Sequence, residues 1–119
     1  MPLLRKILKA DPREVIVKWT GSGTDTLTMA QLTSTGQSVQ GTLNPIANII
    51  SVSVSTAGAC TITRNSEVAF QTNDNFEFQT DGMITAVVDE NAGSAIAVSL
   101  AALGTLIIRV KKMQGYSGI

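Results

Sequence analysis

The strongest constraint in this chain is a period of two running through residues 49–79. Ile50, Val52 and Val54 alternate with Ser51, Ser53 and Ser55, and Cys60 and Ile62 continue the pattern. Strands with one face in a core and the other in solvent read this way. Thr56-Ala57-Gly58 and Asn65-Ser66 offer reversals, while Val68 with Phe70 and Phe76 with Phe78 supply two further inward pairs. The stretch is therefore expected to form four short strands folded back and forth on one another. Phe70, Phe76 and Phe78 all fall in it, so it is expected to carry much of the core's bulk.

The flanking segments extend the pattern. Val15, Val17 and Trp19 share one face of a strand over 14–20, and Gly21-Ser22-Gly23 reads as a turn. Thr24 to Leu32 begins a second strand whose parity slips at Met29 or Ala30, which implies a bulge. Residues 33–44 form a polar loop, either a crossover between sheets or a contact surface, and Asn44-Pro45 ends it. Asp81-Gly82 reads as a turn, followed by a strand over 83–89 with apolar residues on both faces, Ile84, Ala86 and Val88 against Val87. Residues 95–103 fit a strand through Ile96, Val98 and Leu100, or a helix through Ile96, Leu100 and Leu103 capped by Gly104. The neighbouring strands favour the strand. Leu106, Ile108 and Val110 then point inward in a last strand over 105–112, with Arg109 and Lys111 outward. Tyr116 and Ile119, in the tail, are an anchor or disordered. The fold class expected is all-β: an antiparallel β-sandwich or jelly-roll of about eight strands with a short N-terminal arm or helix. A chain of 119 residues supports one core, giving an arm at 1–13, a sandwich at 14–113 and a tail at 114–119.

The first residues differ from the rest. Leu3, Leu4, Ile7 and Leu8 recur at helical spacing with Arg5, Lys6 and Lys9 between them, and Pro12 closes the segment. So short a helix is marginal alone, and its apolar groups need a surface. That surface is the chain's own sandwich or a neighbouring subunit; a membrane-surface helix is disfavoured by an apolar face only two turns long. Leu3, Leu4, Arg5, Lys6, Ile7, Leu8, Lys9 and Arg13 are accordingly the candidate partner-binding residues. Charge marks the same region. Residues 1–18 hold five basic and two acidic groups, 19–108 hold Arg64 against seven acids, and 109–119 add Arg109, Lys111 and Lys112. Basic ends on an acidic body serve solubility, or dock on an acidic partner.

Several chemistries lack their residues. There is no histidine and one cysteine, so neither a disulfide framework nor a zinc ligand set is available, and no histidine-based acyl-transfer triad is either. Cys60 lies on an inward face beside Ile62 and reads as a packed small hydrophobe. Glu67, Glu77 and Asp81 are the only carboxylates suited to paired acid–base work, and each falls on a polar face or turn. Asp74 between Asn73 and Asn75, and Asp89-Glu90-Asn91, read as turns rather than calcium loops. Gly21-Ser22-Gly23 lacks the lysine and helix of a phosphate loop. An acidic body with few aromatics argues against nucleic acid. No secretory signal and no apolar run long enough to span a bilayer are seen, so a cytosolic chain is expected. The expectation is no enzyme, no cofactor and no metal.

One resemblance adds a function. Val52-Ser53-Val54-Ser55, the strand Thr61-Ile62-Thr63-Arg64 with Asn65, Val68-Ala69-Phe70, Phe78 and the pair Asp81-Gly82 resemble the small β-sandwich proteins among virion structural genes of tailed bacteriophages, chiefly capsid decoration or cement proteins. The resemblance implies a virion protein on the capsid surface. It would bind the major capsid protein or another virion protein, as a homo-oligomer with a trimer favoured, without nucleic acid or membrane. Alternatives are a tail, head-completion or fibre-adaptor component, or a carbohydrate- or cell-surface-binding module using Trp19 and Tyr116.

Overall fold

A computed structural model describes residues 3–39, 45–73, 75–84 and 93–118, with backbone alone for 76–84. Its strands are β1 (Leu4–Ala10), β2 (Glu14–Leu27), β3 (Ile46–Thr56), β4 (Cys60–Arg64), β5 (Glu67–Thr72), β6 (Phe76–Ile84) and β7 (Ile96–Gln114), with a 3-10 helix at Met29–Leu32. The class is the one expected, an all-β antiparallel sandwich of jelly-roll character.

β7 is the spine. Its residues 104–111 lie between β2 on one side and β3 on the other, while 96–100 lie between the far end of β2 and β4. The two halves meet at a corner. Gly21 pairs with Gly104 and Gly23 with Leu100, so on the β2 side Ala101, Ala102 and Leu103 stand against the single residue Ser22. Extra residues on one strand bend the ribbon, and here they carry it from one layer into the other. Gly104 permits the close approach of β3 at the corner, where a Cβ would lie 2.6 Å from the Ser55 carbonyl oxygen. Gly23, at φ +125°, lets β2 follow the same bend. The layers then face each other: Arg64, at the end of β4, donates from Nη1 to the Ala47 carbonyl of β3 at 2.6 Å.

Alternation delivers the core. Val15, Val17 and Trp19 from β2, Val52 and Val54 from β3, Cys60 and Ile62 from β4, and Ile96, Val98, Leu100, Leu106, Ile108 and Val110 from β7 are all buried. Leu27, Met29, Leu32, Ile49 and Tyr116 close its ends. Burying such side chains contributes about 1.5–3 kcal/mol each. Trp19 sits at the centre with its indole N–H on Asp25 Oδ2 at 2.8 Å, the partner a buried indole needs.

Several expectations are corrected. Residues 4–10 are a strand, not a helix: β1 pairs with β2 from Leu4–Thr20 to Ala10–Val15, which supplies the hydrogen bonds an isolated helix of that length holds poorly in water. Gly21-Ser22-Gly23 lies inside β2 rather than ending it. The parity slip at Met29 is the 3-10 helix, whose entry is fixed by the Thr28 N–H donating to Gln31 Oε1 at 2.9 Å. The four central strands exist, and Asn65 and Ser66 both adopt positive φ in the β4–β5 hairpin. They do not fold on one another in sequence, because β3 pairs with β6 and β7 while β4 pairs with β5 and β7. Val68 is exposed, since a bulge between Ile62 and Thr63 shifts the register and sets Val68 opposite Thr63. Ile49 rather than Ile50 is fully buried, again at a register shift. Asp81-Gly82 lies within β6. The two strands drawn through 95–103 and 105–112 are the single strand β7. Tyr116 is a buried anchor, its hydroxyl on the Met29 carbonyl at 2.7 Å. Of the strand expected over 83–89, Met83 and Ile84 belong to β6, while 85–89 and the turns at Asp74 and Asp89-Glu90-Asn91 lie outside the described residues.

Candidate functional site

The outer face of the β1–β2–β7 ribbon gathers the exposed cations. Residues directly opposite in adjacent strands share a face. Lys6 stands opposite Lys18, which is opposite Ile107; Lys9 is opposite Ile16, which is opposite Arg109; Glu14 is opposite Lys111. Since Val15, Val17 and Trp19 point into the core, these residues lie on the other side. Two clusters at opposite ends of the sequence are thereby merged. Five cations and the carboxylate of Glu14 surround the half-buried aliphatic pair Ile16 and Ile107.

Part of that charge is neutralised locally. Arg109 Nε donates to Glu14 Oε1 at 2.8 Å, and Lys9 lies 3.6 Å from the same oxygen and 3.4 Å from Asp11. Asp11 also accepts the N–H groups of Arg13 and Glu14 at 2.9 and 2.7 Å, and these bonds hold its carboxyl below the ordinary value. Lys6, Lys18, Arg13 and Lys111 make no ion pair among the described residues. Lys6 and Lys18 are like charges set directly opposite, an arrangement that costs stability, on the scale of about 0.2–1 kcal/mol for cross-strand pairs. An anion beside them relieves it. At the end of the face a depression of about 270 Å³ is lined by Arg13, Lys111, Lys112 and Met113.

The candidate partner-binding residues separate. Lys6, Lys9 and Arg13 join the basic face. Leu4, Ile7 and Leu8 are exposed on β1 at 57, 41 and 47 %. Leu3 packs against the core. Arg5 is turned to the chain's own interior edge, donating to the Thr26 carbonyl and Gln31 Oε1 at 3.2 Å each and lying 3.4 Å from Asp25. Three cations that sequence reasoning left out complete the face: Lys18, Arg109 and Lys111. Their signal was outward parity, but only the pairing of β2 with β7 joins them.

Two further cations are interior. Arg64 is 1 % exposed, with Nε and Nη2 on the Ser94 carbonyl at 3.2 and 2.8 Å. Burial pushes it down to about 10, with Tyr116 opposing, so it remains charged near neutrality. Lys112 is 3 % exposed, with Nζ on the Asp11 carbonyl at 2.9 Å and on Gln37 Oε1, and 5.3 Å from the Tyr116 ring centroid. Burial lowers its pKa while Asp11 pulls the other way. Both bind the chain's own carbonyls and hold layers and loops together.

A larger depression, about 600 Å³, opens at the corner of β7. Thr20, Ser55, Thr56, Asn75, Leu103 and Thr105 are among its lining residues, none of them an acid or base for proton transfer near neutrality. Cys60 is buried and its thiol is pushed up to about 11, away from the reactive thiolate. Glu67 is exposed, and among the described residues no three metal-ligating side chains gather.

No family model matches the chain, and no curated protein matches it. Solved structures do. A cupin superfamily protein from Desulfitobacterium hafniense DCB-2 is similar with a TM-score of 0.47 at 8 % identity, over 95 % of this chain and 79 % of the other. A cupin domain from Bordetella pertussis Tohama I aligns with a TM-score of 0.46 at 9 % identity, over 94 % of both. KdgF from Halomonas sp. aligns with a TM-score of 0.43 at 12 % identity, over 94 % of this chain and 82 % of the other. These likenesses bring no activity to this chain.

They do overturn the phage resemblance. Two of these three are cupin proteins and none is named as a phage protein, so the virion function, its tail and cell-surface alternatives, and the capsid-surface location do not stand. The physical reason lies in the motif. Thr61-Ile62-Thr63-Arg64 alternates because Ile62 and Arg64 are buried between layers while Thr61 and Thr63 are not, a pattern imposed by sheet position. The buried Trp19 and Tyr116 likewise leave no aromatic platform for sugars at those positions.

Proposed function

We propose that this chain is a non-enzymatic docking domain that binds an acidic protein surface through the outer face of its β1–β2–β7 ribbon. The observation that carries the reading is the convergence of Lys6, Lys18 and Lys111, which make no ion pair among the described residues, around Ile16 and Ile107, with Arg13 beside Lys111 at the end of the face. An aliphatic centre with a charged rim is how protein interfaces are built. Nucleic-acid faces instead interleave cations with stacking aromatics, and none stands among these positions. Charge complementarity of this kind acts chiefly on encounter rate and specificity. The depression at Arg13, Lys111 and Met113 is suited to one carboxylate of the partner.

The test uses poly-L-glutamate as the acidic probe. Wild-type protein is expected to bind at low ionic strength with an affinity that falls as salt rises, and Lys18→Glu/Lys111→Glu is expected to weaken binding by on the order of tenfold or more. Unaltered affinity in that variant would remove the face from the reading. Binding to double-stranded DNA tighter than to poly-L-glutamate at the same salt would replace a protein partner with a nucleic acid.

A further inference from the structure

The layer that holds β1 and β6 ends in two edges of opposite character, and β5, which among the described residues pairs with β4 alone, is the edge of the other layer. The order in the first layer is β1-β2-β7-β3-β6, and among the described residues β1 pairs with β2 alone and β6 with β3 alone. β1, LRKILKA, carries Arg5, Lys6 and Lys9 and no acid. β6, FEFQTDGMI, carries Glu77 and Asp81 and no base. Unpaired edges are templates for another strand, and charge decides which strand is admitted. Lys9 and Arg5 are held by the chain's own Asp11, Glu14 and Asp25, so the charge of Lys6 and the bulge between Ile7 and Lys9 are what disfavour a second β1. An acidic edge is attracted by the same charge.

We infer that copies of this chain associate head to tail, the β1 edge of one pairing with the β6 edge of the next. The occupant is fixed by charge complementarity, and the exposed Leu4, Ile7 and Leu8 supply the apolar area such a contact buries. Strand direction follows from the sheet. Each neighbouring pair from β1 through β6 is antiparallel, so β1 and β6 run the same way within a copy. A copy added with its outer face on the same side therefore brings its β1 parallel to β6. The regular parts of the edges match in length, residues 4–7 before the bulge and 76–79 before the register shift near Ile84. Set side by side, they bring Lys6 within one position of Glu77. The contact is heterologous, closing into a ring if the rotation per copy allows and growing into a filament if not. It also lines up the basic faces of successive copies. This inference stands apart from the docking reading, because it is measured on the purified chain without any probe.

Self-association is read by sedimentation velocity across a concentration series. Wild-type protein is expected to form species larger than a monomer that weaken with salt. Lys6→Glu/Lys9→Glu and Glu77→Lys/Asp81→Lys are each expected to weaken association by on the order of tenfold. The variant combining all four changes regains it, because its edges are again opposite in charge. Hydrogen exchange on the wild type gives a reading that needs no variant: protection of both β1 and β6 amides rises with concentration. A wild type that stays monomeric overturns the inference. So does association that survives reversal of one edge, which indicates a twofold contact through the other edge, or a combined variant that fails to reassociate while remaining folded by Trp19 emission.

Discussion

Lys111 and Lys112 are consecutive in β7 and belong to two regions with different physics. Lys111 points to the outer face, where its charge meets water and whatever docks there. Lys112 points inward, where its ammonium is held by the Asp11 carbonyl, Gln37 and the Tyr116 ring. Arg64 belongs with Lys112, Lys18 with Lys111. The formal charge of zero conceals this sorting. Interior cations act as structural clamps whose removal leaves carbonyls unsatisfied. Outer cations cost the fold a little and are available to a partner. Changes inside should therefore move stability and leave binding alone, and changes outside the reverse.

The largest expected effect is at Arg64. Truncation in Arg64→Ala strands the Ser94 and Ala47 carbonyls and opens a cavity, and should cost about 3–5 kcal/mol in urea unfolding. Arg64→Met, which refills the volume, should cost less, separating packing from hydrogen bonding. Lys112→Ala releases the β1–β2 turn from the loop at Gln37, and about 2 kcal/mol is expected by the same measurement. An unchanged unfolding midpoint in either variant would erase the distinction between the two regions.

Cys60 sharpens the comparison by pH. Its thiol is pushed from 9.0 up to about 11 by burial, so the folded state keeps a proton that the unfolded chain releases first. Stability is intact below pH 9 and falls as pH rises from 9 towards 11. Relative to Cys60→Ala, the wild type should lose about 1 kcal/mol between pH 8 and 10. Parallel pH profiles would show that the thiol titrates as if exposed. The smallest effect is expected outside. Lys18→Gln removes the repulsion with Lys6 and should raise stability by a few tenths of a kcal/mol at low salt, a gain that disappears at high salt.

The inward set was legible because alternation is a local property. Val15, Val17 and Trp19, Val52 and Val54, and Leu106, Ile108 and Val110 could each be read from a few neighbours. Lys112 continues the parity of Val110 and could have been read as inward, but its charge masked the pattern. Bulges were not legible at Ile50 or Ala69, since a single extra residue flips parity without changing composition. β1 misled for a physical reason: apolar residues at 4, 7 and 8 suit a helix, whereas in the strand Leu4 and Ile7 fall on opposite faces and Leu8 lies at the bulge between Ile7 and Lys9. The basic face was visible as two charged ends of the sequence. That they form one surface depends on β2 pairing with β7 across more than eighty residues, Trp19 with Leu106 among them, which no local pattern encodes.

Amide chemical-shift mapping of the isotopically labelled chain, titrated with poly-L-glutamate at low salt, tests the docking face most directly. The expected result is shifts concentrated on β1, on residues 14–20 of β2 and on residues 105–113 of β7, with those on β4 and β5 unmoved. Shifts centred on β4 and β5, or none at all, would contradict the assignment of this face as the docking surface.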